Sequence, residues 1–426
     1  MIKEKRASQA ALATDIHAML QDTERGTLLA EGGTGIGKSF AYLIPSLIRE
    51  DKRIVIATAK KTLQDQLFTK DVPYVCDSIG SKKRYVIYKG KSNYACWLLA
   101  SEVHDALDKK HYLEFINDAR VWEQPADIKD WKGGRPTWWP KVDISNCIMG
   151  KNCPHILQCK PQPQQSNIVI TNHHLLAIDL KLGPGFLLGD YNMLIVDEGH
   201  QAPEAFRAAY THRITSKGLD GLRAMVVNDE NLRALIDDSG AVSSKIFVAQ
   251  VKALIAQYNT YHKEIGPYTN AVGQVDIVQG RKQIFKLAGT AREMNRQLEG
   301  IYKATQNMLQ HSSSSYSEDY NAVETFSRDQ LRSLTRKIKR VVSRVGSIME
   351  FISRLHDSEH VGRTGNYLLT RQPEGVKIEP IQVGPLVRKA LRRAQHKVIV
   401  SATLAMGKDF SHTEESYGLT PVEPDD

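Results

Sequence analysis

Residues 32–39 read Gly-Gly-Thr-Gly-Ile-Gly-Lys-Ser, and the reading of the whole chain starts from them. They fit the pattern G-x-x-x-x-G-K-[ST], with Gly32, Gly37, Lys38 and Ser39 at the fixed positions. An apolar run at 26–30 precedes them, helical spacing follows over 39–49, and a second apolar run, Arg-Ile-Val-Ile-Ala, occupies 53–57. Strand, helix and strand in that order predict a parallel sheet with right-handed crossovers. Glycine-rich backbone wraps its N–H groups around phosphate, and the following helix points its positive end at the same group. Thr34 and Gly35 complete the loop. Lys38 is expected to reach the β- and γ-phosphates of a nucleotide, and the Ser39 hydroxyl to hold Mg²⁺.

A matching second half lies at 193–200, Met-Leu-Ile-Val-Asp-Glu-Gly-His. The apolar run delivers Asp197 and Glu198 to a strand's carboxyl end, where open α/β sheets bind ligands. Asp197 is expected to hold Mg²⁺ and Glu198 to orient and deprotonate an attacking water, with His200 beside them. Apolar runs at 167–171 and 397–400 extend the same sheet.

The rest of the chain divides by composition. All five tryptophans and four of the five cysteines fall in 93–164, which reads as a small insert. Residues 206–364 are long, polar and helical, and include a serine run at 312–315. The predicted organisation is a sheet domain made of 1–92, 165–205 and 365–405, a cysteine-rich insert at 93–164, a helical insert at 206–364, and a linker or the start of a further domain at 406–426. With 41% hydrophobic and 25% charged residues, the 426-residue chain has globular composition. No apolar run is long enough to span a bilayer, so no membrane partner is expected. The formal charge of +9 favours a polyanionic partner. An odd number of cysteines, three of them closely spaced, suggests a metal site in a reducing cytoplasm rather than a disulfide framework.

The motifs together resemble the DinG branch of the XPD-like superfamily 2 DNA helicases. Arg6-Ala-Ser-Gln9 is similar to the family's Q-motif, so the resemblance implies that Arg6 and Gln9 contact adenine. Residues 57–66, Ala-Thr-Ala-Lys-Lys-Thr-Leu-Gln-Asp-Gln, resemble motif Ia and imply that Thr58, Thr62 and Gln64 touch single-stranded DNA. Asn172 and His173 fall at the family's Asn-His turn, with Asn172 expected near DNA. Asp197-Glu-Gly-His200 resembles the DEAH-type box. Ser401-Ala-Thr-Leu404 resembles motif III and implies that Ser401 and Thr403 couple hydrolysis to DNA movement. The implied fold is a RecA-like P-loop domain. The implied activity is ATP-dependent 5′→3′ unwinding of forked or R-loop DNA, in repair or attached to a type IV CRISPR effector, near a nucleoid or plasmid.

Cys96, Cys147, Cys153 and Cys159 can hold a [4Fe–4S] cluster or structural zinc, or form a vestigial empty site. The resemblance favours the cluster, whose first ligand follows a Tyr-x-Cys turn, here Asn93-Tyr-Ala-Cys96. The same resemblance makes 206–364 an arch domain. Cys76 stands apart as a buried thiol. Trp138 and Trp139 are the tryptophans expected to be partly exposed for base stacking. Arg332, Arg336, Arg340 and Arg344 recur every four positions, so one helix face, Arg336 and Arg340 in particular, is expected either to meet a phosphate backbone or to be a solvated face. Arg388, Arg392 and Arg393 form a second, weaker basic patch. No counterpart of the family's second RecA-like domain follows Leu404. The competing expectation is therefore a nucleic-acid-binding module or fragment without ATP turnover.

Overall fold

The computed structural model describes residues 7–22, 24–33, 35–96, 99–100, 127–128, 136–147, 161–311, 326, 328–357, 367–407 and 409–420. The strands in chain order are β1 (Gly26–Glu31), β2 (Ile54–Thr58), β3 (Tyr85–Ile87), β4 (Ile168–Asn172), β5 (Met193–Asp197), β6 (His212–Thr215), β7 (Gln274–Val275), β8 (Tyr367–Gln372), β9 (Gly375–Pro380) and β10 (His396–Ser401). They form two sheets in two compact units, Met1–Tyr210 with Gln382–Asp426, and Thr211–Ile381.

The first unit carries a six-stranded sheet of order β1-β10-β5-β2-β4-β3, and every pairing in it is parallel. Strands β2, β5 and β10 are buried along their whole length. Parallel strands covered on both faces lack polar alternation, which is why these segments read as continuous apolar runs. Successive side chains enter opposite cores. Ile54, Ile56, Ile168, Ile170, Met193 and Ile195 face helices Ala7–Gln21, Lys38–Ile48 and Val72–Ile79. Val55, Val169, Leu194 and Ile399 face helices His173–Leu182, Ala202–Tyr210 and Gly384–Leu391. Cys76 lies in the first of these cores.

Two expectations about boundaries need correction. Residues 365–381 were assigned to the sheet domain, but β8 and β9 belong to the second unit. There they form an antiparallel sheet of order β6-β9-β8-β7 against helices Ser244–Glu264, Phe285–His311 and Arg328–Asp357. The insert is therefore not purely helical. The signal lay in the alternating burial of Gly-Val-Lys-Ile-Glu-Pro, which marks a half-exposed antiparallel strand rather than a parallel one. The sequence reads 406–426 as a linker or the start of a further domain, but Ser411–Tyr417 is a helix whose Tyr417 is fully buried in the first unit. The Tyr417 ring packs edge-on against Phe206, with centroids 5.5 Å apart.

Candidate nucleotide site

Parallel register brings the predicted residues to one sheet edge. Glu31 pairs with Ser401, Val400 with Asp197, and Thr58 with Asn172, so the loops after five neighbouring strands leave from the same side. The P-loop follows β1 directly, and Gly32 N donates to Ser401 O at 2.8 Å. Gly37 ends the loop at φ 86°, a left-handed conformation, and helix Lys38–Ile48 begins at the next residue. A Cβ at Gly37 would stand 2.3 Å from Gln9 Nε2, the atom that donates to Gly37 O at 2.9 Å. The left-handed conformation thus favours glycine at this position, and a larger residue would also displace the Gln9 amide.

Lys38 Nζ donates to Gly32 O at 3.1 Å and lies 3.7 Å from Glu198 Oε1. Glu198 has φ 53° and is the only non-glycine residue with positive φ among the described residues. Such backbone costs on the order of 1–3 kcal/mol and tends to persist where function requires it. The conformation lets Ser401 Oγ donate to Glu198 Oε2 at 3.2 Å. His200 Nδ1 lies 2.5 Å from Ser401 Oγ and 3.6 Å from Glu198 Oε2. Lys38, Glu198, His200 and Ser401 form one connected polar group.

Asp197 sits deeper, 5% exposed. Tyr42 OH donates to its Oδ2 at 3.2 Å and Glu198 N to its Oδ1 at 3.0 Å. Burial, then the neighbouring Glu198 carboxylate, push the Asp197 carboxyl up from 3.8 to about 6. Ser39 is joined to the same group through a hydrogen bond with Tyr42. His173 Nε2 lies 2.8 Å from Asp197 O, and since a carbonyl only accepts, that nitrogen carries the proton. Burial lowers the His173 imidazole to about 4, so it is neutral at pH 7.

The loop after β10 is held from β1. Glu31 Oε2 accepts from Leu404 N at 2.8 Å and Ala405 N at 2.7 Å. Thr403 N approaches Ser401 Oγ at 3.5 Å. Sequence reasoning misses Tyr42 and Glu31, and reaches His173 only as part of the Asn-His turn. Tyr42 had a signal, one helical turn after Ser39, whereas Glu31 had only its position before the P-loop.

The other expected contacts fall in different surroundings. Thr58 and Gln64 are fully buried, so a surface contact with DNA does not describe them as placed. Thr62 is exposed. Asn172 Oδ1 accepts from Leu175 N at 2.8 Å and caps helix His173–Leu182, a local role that occupies its oxygen. Trp138 and Trp139 are buried rather than partly exposed, and Trp139 Nε1 donates to Ser92 O at 2.8 Å. Arg340 and Arg344 are exposed, Arg336 is half-buried, and Arg344 Nη1 donates to Gly218 O within its own unit. Cys96 is buried with Tyr94, Leu99 and Ile144, and Cys147 packs against the same cluster. Arg6, Thr34, Cys153 and Cys159 lie outside the described residues. Among the described residues, no group of three or more His, Cys, Asp and Glu gathers as a metal site.

The comparisons bear on this geometry. Over 433 residues the chain is 24% identical to the ATP-dependent DNA helicase YoaA of Haemophilus influenzae, covering 97% of this chain and 62% of that protein. The chain is thus similar in sequence to a protein named as an ATP-dependent DNA helicase. It is 30% identical over 221 residues to YoaA of Escherichia coli, covering 47% of this chain and 34% of that one. It is 28% identical over 254 residues to the ATP-dependent helicase DinG of Mycobacterium tuberculosis, with coverages of 50% and 37%. The chain thus matches from about a third to under two thirds of these relatives' lengths. No family model matches it. Among solved structures, an XPD helicase aligns with TM-score 0.47 and 12% identity over 98% of this chain and 61% of that one. A truncated XPD aligns with TM-score 0.47 and 11% identity over 96% of each. No helix among the described residues is long and apolar enough to cross a membrane.

Proposed function

We propose that this chain is the ATP-binding motor portion of a DinG-type DNA helicase, acting in the cytoplasm on single-stranded and forked or R-loop DNA. The observation that carries the reading is the connected group Lys38, Glu198, His200 and Ser401 beside the buried Asp197. Lys38 would bind the terminal phosphates, and Glu198 would orient the attacking water. Ser39 and Asp197, joined through Tyr42, fit Mg²⁺ by the chemistry of their oxygens, and the ion would neutralise phosphate charge. Ser401 touches both Glu198 and His200, so a change around the γ-phosphate reaches the loop after β10 directly. That is the property expected of a coupling residue. Arg6, Gln9, Thr34, Gly35, Thr62, Arg336 and Arg340 keep their proposed nucleotide or DNA roles. The 5′→3′ direction and a type IV CRISPR effector as partner extend the same proposal from the resemblance.

For the cysteine set, Cys96 and Cys147 share one small apolar cluster, a placement that supports joint ligation of an iron–sulfur cluster with Cys153 and Cys159. Protein purified without oxygen is then brown, with iron and sulfide, and Cys96→Ser bleaches it. Colourless protein containing one zinc would refute this part.

The central test is ATP hydrolysis with and without single-stranded DNA, beside Lys38→Ala. The expected result is DNA-stimulated turnover that falls at least about 100-fold in the variant. DNA binding with no turnover in the parent chain would favour the non-hydrolysing module.

A further inference from the structure

A second basic site lies at the opposite end of the first sheet from the P-loop. Strand β1 runs from Gly26 at one edge to Glu31 at the nucleotide edge, so the two sites are separated by the strand's length, roughly 15–20 Å at about 3.3 Å per residue. Beside the start of β1 is a cavity of about 410 Å³ whose charged lining consists of Arg25, Arg388, Arg392 and Lys397, with Leu391 and Leu419 among its apolar walls. No acidic residue lines it, and none of the four cations has a carboxylate within ion-pair distance among the described residues.

Two of these cations are placed at a cost that no carboxylate in the cavity lining offsets. Lys397 is 6% exposed on β10, and its ammonium donates to Ala394 O at 3.0 Å. Burial, and then the positive charge of Arg25, lower its pKa. Arg388 Nε is buried without a hydrogen-bond partner. Arg25 is drawn in as well, with Nη1 donating to Arg392 O. Four like charges around one cavity, one of them buried and another with an orphaned donor, would be relieved by an anion. Guanidinium forks match phosphate oxygens in pairs, and the volume suits one or two phosphate groups.

We infer that this cavity binds a phosphate group, supplied either by a nucleic-acid backbone or by a small phosphate compound, at a site separate from the P-loop. The inference concerns the same unit as the proposed motor but does not depend on ATP turnover.

The test uses the full chain carrying Lys38→Ala, which removes the P-loop cation. Inorganic pyrophosphate is titrated calorimetrically, and a fluorescent oligothymidine by anisotropy. Each is repeated with Arg392→Gln and Lys397→Gln, with exposed Lys82→Gln, outside the lining, as the control. Circular dichroism checks folding, and Arg392→Gln carries the test if the buried lysine variant unfolds. The expected result is pyrophosphate binding that weakens at least about tenfold in the lining variants and less than twofold in the control. If oligothymidine affinity falls in parallel and pyrophosphate displaces it, the source is a nucleic-acid backbone. If oligothymidine binding is unchanged, the source is a small phosphate compound. Absence of pyrophosphate binding, or equal weakening by Lys82→Gln, would overturn the proposal and leave a solvated basic patch. Both arms read binding alone, so they remain decisive even if the chain hydrolyses no ATP.

Discussion

Asp197→Asn is expected to stabilise the protein while abolishing hydrolysis. Asp197 is 5% exposed, and burial holds its carboxyl at about 6 rather than 3.8. An acid with a raised pKa binds its proton more tightly in the folded state. Its contribution to stability is therefore best at low pH and falls as pH rises from 3.8 through 6. At about 1.4 kcal/mol per pH unit, keeping this carboxylate ionised at pH 7.5 costs roughly 3 kcal/mol. Asparagine is neutral at every pH, retains an oxygen for Glu198 N, and can still pair with Tyr42. The variant should thus be about 2–3 kcal/mol more stable at pH 7.5, raising the unfolding midpoint of its unit by about 5–10 °C. The assay is thermal and urea unfolding of both proteins without nucleotide, in a chelator, from pH 4 to 8. The stability difference should be near zero at pH 4, grow until about pH 6 and then level off. A variant no more stable than the parent at pH 7.5, or a difference independent of pH, would refute the reasoning.

Further predictions concern the neighbours of this carboxylate. His173 should titrate near pH 4 by NMR, because burial lowers its imidazole to about 4. Its stabilising effect is complete above pH 6.5 and is lost as pH falls towards 4, opposing Asp197 across the same range. A His173 midpoint above 6 would contradict the burial argument. Tyr417→Phe removes the hydroxyl that donates to Gly199 O at 2.7 Å, one of two hydrogen bonds that carbonyl accepts beside that from Ala202 N, and should cost about 0.5–1.5 kcal/mol. An unchanged unfolding midpoint would show that the helix Ser411–Tyr417 is not tied to the carboxylate loop as described.

How much of this was legible beforehand depended on the distance over which each signal acts. The runs at 26–30, 53–57, 167–171, 193–196 and 397–400 were apolar because both faces of a parallel strand are covered, so five of the six strands could be read locally. The three-residue strand Tyr85–Ile87 is too short to show any period. The glycines and Lys38 were legible because wrapping a phosphate demands those residue types in adjacent positions. Asp197 and Glu198 were legible because a buried strand ended in charge.

The sequence by itself thus determined a phosphate loop, a carboxylate pair and a buried parallel sheet. Only the tertiary structure decided that β10 lies between β1 and β5, which brings Ser401 to His200 across 201 residues. It also decided that Glu198 adopts a left-handed backbone, that Thr58 and Gln64 turn inward, and that β8 and β9 join a separate antiparallel sheet. Periodicity records whether a segment is covered, but not which segment covers it. Strand order is set by the summed packing of distant elements, and side-chain direction at a strand's end depends on that order.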